Sequence, residues 1–280
     1  MAELSDYRKA GVDLYEKLHL ATYPVAIEYI RDESEIPPKA VRPSQAKQQW
    51  SLCQAFTYSR RWGWTVAMTA DDNFCTPATA SHRWVEVSAD DLLQSQLFQA
   101  WHKDIEAEKK RQKHGLDQVG KGNLPKLSQY CGFISSPLAH APLIPDSVLV
   151  FGNGENINHI IQALTYEGEN YPTSTFEGFG ETCVKGGLLP HITGIPQIVI
   201  PGMGDRTFSG VYDYEIAIGL PAGLLFVTVQ NLFKSGGRLN LGNPVRTLLP
   251  TGITTNITPG FKYMRQKIDE SQKRKSGKNG

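Results

Sequence analysis

Apolar residues recur at helical spacing at Val12, Leu14, Tyr15 and Leu18, which predicts an opening helix over "DYRKAGVDLYEKLHL". "YPVAIEYI" then alternates and is rich in strand-forming residues, with Pro24 at its entry. The prolines and charges of "RDESEIPPKAVRPSQ" predict a surface excursion. From about Ala46 the pattern turns helical and closes at Gly63, before a strand, "WTVAMT", and a turn, "ADDN". Cys75 follows, just ahead of Pro77, a residue suited to the first turn of a helix. Between Asp90 and His114, Leu93, Leu97, Phe98, Trp101 and Ile105 share one helical stripe, and "EAEKKRQKHG" behind them is too charged to bury.

Farther on, "SVLVFGNGEN" runs a strand into a loop, and "INHIIQALTYEG" is a helix closed by Gly168. "TSTFEG" reads as a short strand, and "ETCVKGGLLPHITG" as a glycine-rich loop or broken helix. "PQIVIPG" and "YEIAIGLP" are strands around the loop "MGDRTFSGVYD", and "AGLLFVTVQNLFKSGG" is a final apolar helix. Past Lys262 no apolar stripe is sustained, so residues 263–280 are expected to be a frayed, basic tail.

A recurrence overlies this order. "QAFTY" at Gln54 and "QALTY" at Gln162 are each followed by a cysteine twenty-one residues beyond the glutamine, at Cys75 and Cys183. Strand, helix, strand, cysteine is thus written twice. The expectation is an α+β fold: two related α/β halves, an internal duplication over about 20–90 and 145–200, forming a mixed sheet covered by helices. One domain over residues 1–262, with a helical insertion near 90–115, would carry both.

Composition narrows the function classes. A 40% hydrophobic chain of 280 residues can bury a substantial core. Twenty-nine Lys and Arg against 28 Asp and Glu leave no basic field for nucleic acid. No apolar run reaches membrane-spanning length, and "MAELSDYRKA" lacks an apolar leader, so a cytoplasmic protein is expected, with no membrane partner. Four cysteines, Cys53, Cys75, Cys131 and Cys183, without a C-x-x-C pair, are too few for a disulfide scaffold; any shared role must be made by folding.

Three thiolates can hold an iron–sulfur cluster and leave one iron free for a substrate oxygen or sulfur. Cys53, Cys75 and Cys183 are the ligands assigned to such a 4Fe–4S cluster, with Cys131 as a candidate fourth. A thiol at a helix mouth is expected to have a lowered pKa, which fits Cys75 ahead of Pro77. Against this, free cysteine is often a small buried hydrophobe, and zinc usually comes with close-spaced ligand pairs.

In "MGDRTFSGVYDYE", Arg206 is the candidate anion anchor, and Asp205 and Glu215 the candidate proton-handling groups. Asp213 and Glu215, two apart on an expected strand, would face one side, and the plain alternative is that Arg206 pairs with one of them. "FGNGEN" lacks the third glycine of a dinucleotide loop, Ile157 standing in its place. Of seven histidines only His82 and His191, each a few residues past a repeat cysteine, invite a proton-transfer role.

At "YPVAIEYI", "CQAFTYSRRWGWTVAMTADDNFC", "VLVFGNGENINHIIQALTYEG" and "PGMGDRTFSGVYDYEIAIGLP" the chain resembles the uncharacterised DUF169 family over most of Leu18 to Gln230. Where many relatives carry a cysteine close to the "GDR" turn, this chain has Pro201, Gly202 and Met203. The resemblance implies kinship and no activity. Three functions follow as expectations: an iron–sulfur lyase, hydratase or redox enzyme acting on a small carboxylated or hydroxylated substrate; a small-ligand-binding or scaffold module with structural cysteines; or a cofactor-free thiol enzyme. Assembly into a homo-oligomer stays open.

Overall fold

Strand β1, Val25–Ile30, is buried along its whole length, and its sequence is accordingly apolar on both faces apart from Glu28. It sits near the middle of a six-stranded sheet with β2 (Val66–Thr69), β3 (Gly132–Pro137), β4 (Ser147–Gly152), β5 (Gln197–Val199) and β6 (Ile216–Pro221), in the order β2-β3-β1-β4-β6-β5. The structure is a computed structural model and describes residues 2–88, 90–91, 93–94, 102–119, 124–232, 234 and 259–276. Leu97, Phe98 and Trp101 of the expected stripe lie outside the described residues.

The fold is α+β, as expected, but every strand pairing in the sheet is antiparallel where a mixed sheet was predicted. The reason lies in the third strand of each half. β1 and β2 run the same way, joined by a helical crossover, but β3 inserts between them and is antiparallel to both. β6 does the same between β4 and β5. Each half is thus a split β-α-β unit, and outward from the central β1–β4 pair the order is first, third, second on both sides.

The helices are α1 (Leu4–Lys17), α2 (Leu52–Trp62), α3 (Thr76–Ser81), α4 (Ile105–Val119), α5 (Leu124–Leu127), α6 (Gly154–Leu164), a π-helix (Glu181–Leu188) running straight into α7 (Leu189–Thr193), α8 (Met203–Ser209), α9 (Leu225–Asn231) and α10 (Pro259–Ser276). Helices of the first 235 residues cover both faces of the sheet. Leu52, Ala55 and Phe56 of α2 and Leu188 and Ile192 of the π-helix and α7 join Ile27, Tyr29, Leu149 and Phe151 in one core. Leu14 of α1, Ile157 and Ile160 of α6 and Leu225 of α9 pack with Ala26, Val148 and Val150 on the other.

This division does not bear out the duplication expected from the recurrence. Gln54 lies in the first turn of α2 on one face, whereas Gln162 lies near the end of α6 on the other, so the twenty-one-residue frame joins positions that do not correspond. What the two halves share instead is a run from helix through glycine to strand. α2 ends on Gly63 (φ 77°) three residues before β2, and α7 ends on Gly194 (φ 72°) three residues before β5. Both glycines take the left-handed conformation that closes a helix.

Further expectations change in detail. "TSTFEG" contributes only an isolated bridge at Thr173, and "MGDRTFS" is the helix α8 instead of a loop. Met1–Ser235 form one compact unit and Gly236–Gly280 a second. In the second, α10 replaces the expected frayed tail: its surface pairs Arg265–Asp269 (3.3 Å) and Lys267–Glu270 (2.9 Å) stand at helical spacing, the kind of support a polar helix uses.

Candidate functional site

The face of the sheet that carries α2 and the π-helix also carries a cleft of about 1200 Å³. Cys53, Cys75 and Cys183, remote in the chain, all line it, together with Asp205. Local chemistry sets each of them. Ser51 caps α2 by accepting from the Gln54 N–H, which turns Cys53 into the cleft with its sulfur 3.0 Å from Ser51 Oγ and 3.7 Å from the Gly204 carbonyl. Cys75 is the N-cap residue of α3, Pro77 standing in the first turn as expected, and Asn73 Oδ1 accepts its N–H at 3.0 Å. Asp205 is held by the N–H of Gly202 (2.8 Å) and by the Thr182 hydroxyl.

Cys183 depends on glycines. A Cβ on Gly219 of β6 would come 1.9 Å from the Gly186 carbonyl oxygen, so only backbone against backbone lets the π-helix lie this close to the sheet. Wide π-turns of this kind are rare and gather at functional sites.

Electrostatically the cleft is the reverse of the expected thiolate site. Burial raises the Cys75 thiol, with Asp205 adding to it, and the six-residue α3 does not offset this. Burial and then the Asp205 charge push Cys53 up to about 12. Cys183 is raised well above the ordinary thiol value by burial, then by Cys75, Asp205 and Cys53. Asp205 is itself raised by burial, although its hydrogen bonds with Thr182 and Gly202 work the other way. The thiols and the carboxyl are therefore close enough to disfavour one another's ionisation. All four cysteines are free and partly buried. Among the described residues no three His, Cys, Asp or Glu side chains stand ready-placed to hold a metal ion.

The remaining candidates lie elsewhere. Cys131 does not line the cleft; its sulfur reaches the Ile30 carbonyl at 3.6 Å and packs in a separate small core. Arg206 is outside the lining too, with its guanidinium on Asp213 (2.8 Å) and the Pro201 carbonyl. Glu215 is buried against Arg60 in a two-pronged pair (2.5 and 3.1 Å), and Arg60 in turn lies over the Phe151 ring. Asp213 and Glu215 stand on a turn before β6, the first exposed and the second buried, so they do not share a face.

The two histidines singled out by the sequence lie outside the cleft lining. His191 Nε2 stands 2.7 Å from the Tyr130 hydroxyl and its Nδ1 3.5 Å from Asp146, with Tyr29 stacked on the ring. His82 is buried, reaching the Ala78 carbonyl through Nδ1 at 2.8 Å. Burial lowers its pKa to about 4, partly offset by hydrogen bonds to the Ala78 and Cys183 carbonyls. Lys185, on the cleft wall, is engaged by Glu181 (3.2 Å) and Glu177 (3.3 Å).

A small α+β protein with a thiol-lined cleft on one face of an antiparallel sheet is the class these features define. The chain belongs to the DUF169 family, described as uncharacterised ArCR, whose profile matches residues 13–231. It is similar to the uncharacterized protein MJ0308 of Methanocaldococcus jannaschii, at 20% identity over 222 residues, covering 78% of this chain and 90% of that protein. No solved structure matches it. No described helix is long and apolar enough to cross a membrane.

Proposed function

We propose that the protein is an enzyme acting on a small carboxylated or hydroxylated substrate in the thiol-lined cleft, with Cys53, Cys75 and Cys183 as the ligands of a 4Fe–4S cluster. The observation that carries this reading is the convergence of three sequence-distant cysteines on one cavity. The donor set fits a soft, positively charged group. Burial first, and then the neighbouring Asp205 charge, disfavour ionisation of Cys53 and Cys183, while Lys185 is taken up by Glu181 and Glu177 and Arg111 by Glu108. A bound cation would supply the missing charge and release those protons. A cluster with three thiolate ligands offers Lewis acidity or electron transfer at its open iron.

The chain's own residues have narrower tasks. Asp205, desolvated and hydrogen-bonded on one side to Thr182, is suited to hold a proton at Oδ and exchange it with substrate. Glu215 and Arg206, engaged outside the cleft, take no part. Phe74 and Phe208, packed edge to face at 5.3 Å, form an apolar wall that a substrate's apolar part can cover.

Anaerobic purification with iron and sulfide analysis tests the assignment. Wild-type protein reconstituted with iron and sulfide is expected to turn brown and to hold close to one cluster per chain, and the Cys183→Ala variant to lose it; a colourless, iron-free wild type overturns the reading. The strongly raised thiols favour a second reading over cofactor-free thiol chemistry: a ligand-binding module whose cysteines are cleft wall. In that case Cys75→Ser and Cys183→Ser leave ligand affinity intact.

A further inference from the structure

Helix α3 closes with the N–H of Arg83 on the Ala80 carbonyl (3.1 Å) and that of Trp84 on the Thr79 carbonyl (3.2 Å). This paired closure requires a left-handed residue at the position that Arg83 fills, with φ 55°. Glycine is the usual occupant because any Cβ is strained there. An arginine at such a position costs the fold stability, and strain of this kind is retained where a side chain is needed.

Arg83 lines the cleft and is exposed. Among the described residues no carboxylate pairs with it, whereas the other cations on the wall, Lys185 and Arg111, are held by Glu181 and Glu108. The same lining includes Phe74, Phe208 and Met203, large apolar side chains left open to solvent. One uncommitted guanidinium at a cleft with an aromatic wall is a recognition pattern for an anion on an apolar body.

We propose that Arg83 is the anion anchor of the cleft and that the ligand is a small organic acid with an apolar body, its carboxylate on Arg83 and its body against Phe74 and Phe208. The other end then faces the thiols and Asp205. This rests on the cleft being the functional site, and not on its holding a cluster.

The test uses the full chain without metal, with 3-phenylpropionate as probe and its neutral amide as control, read by calorimetry and Trp84 fluorescence. Wild type is expected to bind the acid at least about tenfold more tightly than the amide, the scale of one charged hydrogen-bonded contact. Arg83→Gln, which keeps the backbone strain, is expected to lose that preference with its melting temperature unchanged. Arg83→Gly is expected to lose the preference and melt a few degrees higher, because the left-handed position is relieved. Equal binding of acid and amide by wild type, or a preference that survives in both variants, overturns the proposal. Because all arms are metal-free, failure to assemble a cluster leaves this result standing.

Discussion

Glu28 is 3% exposed and neither of its carboxyl oxygens has a hydrogen-bond partner. Burial, followed by the nearby Asp146 charge, raises its pKa well above the usual carboxylate range. The fold therefore holds a proton that the unfolded chain releases above about pH 4.5. Stability from this group is fully present below that value and is lost as pH rises toward the folded pKa. Replacing it with leucine is expected to stabilise the protein at neutral pH by about 1–3 kcal/mol. The gain should grow between pH 5 and pH 8 in urea titrations, and a gain that stays level would refute the assignment. Glu215 behaves in the opposite way. Arg60 is the first hydrogen-bonded and charged cause holding its carboxyl below the ordinary value, against the pull of burial. Glu215→Gln leaves the Arg60 charge buried and without its partner, so a loss of about 3–5 kcal/mol is expected, with ligand binding in the cleft unchanged. Residue types alone gave no means of separating these two acids. Both look like ordinary carboxyls in strand-like sequence, and only the partner across the fold tells a paired glutamate from a solitary one.

Among the elements, the π-helix carries the most consequence for its length. "KGG" in its sequence signals a broken helix, and that much was legible; the close approach of the Gly186 carbonyl, however, requires Gly219, which stands on β6, far away in the chain. Gly219→Ala is expected to push the π-helix off the sheet, with a lowered melting temperature and a Cys183 that reacts with a thiol reagent at least about tenfold faster, as its burial is lost. A variant that melts lower with Cys183 still shielded would show the contact to be structural only. Strands and amphipathic helices were readable because their periods reflect burial on one or both faces. The meaning of the recurrence was not. Identical letters at Gln54 and Gln162 suggest a duplication that the fold does not show, whereas Gly63 and Gly194 share a backbone conformation that no side chain announces. Cys53 and Cys183 lie in the first turns of their helices, and Cys75 and Gly202 are the N-cap residues of α3 and α8.

In the molecule as a whole, the three cysteines line one cleft, an outcome the sequence leaves open because it depends on how the segments fold together. Cys131 did not converge, since it opens a strand at the far face. The lowered pKa expected of Cys75 at a helix mouth is not found, because burial, with Asp205 adding to it, outweighs the backbone hydrogen bond at the start of α3. β1 and β4 join the halves through only three residue pairs, Val25–Leu149, Ala26–Val148 and Ile27–Ser147. Cys53 and Cys75 stand on one side of that seam, Cys183 and Asp205 on the other. Whatever occupies the space between them acts as a clasp across that short seam. Amide protons of β1 and β4 should then exchange with heavy water more slowly when the clasp is fastened, while those of β2 and β5 at the outer edges keep their original pace.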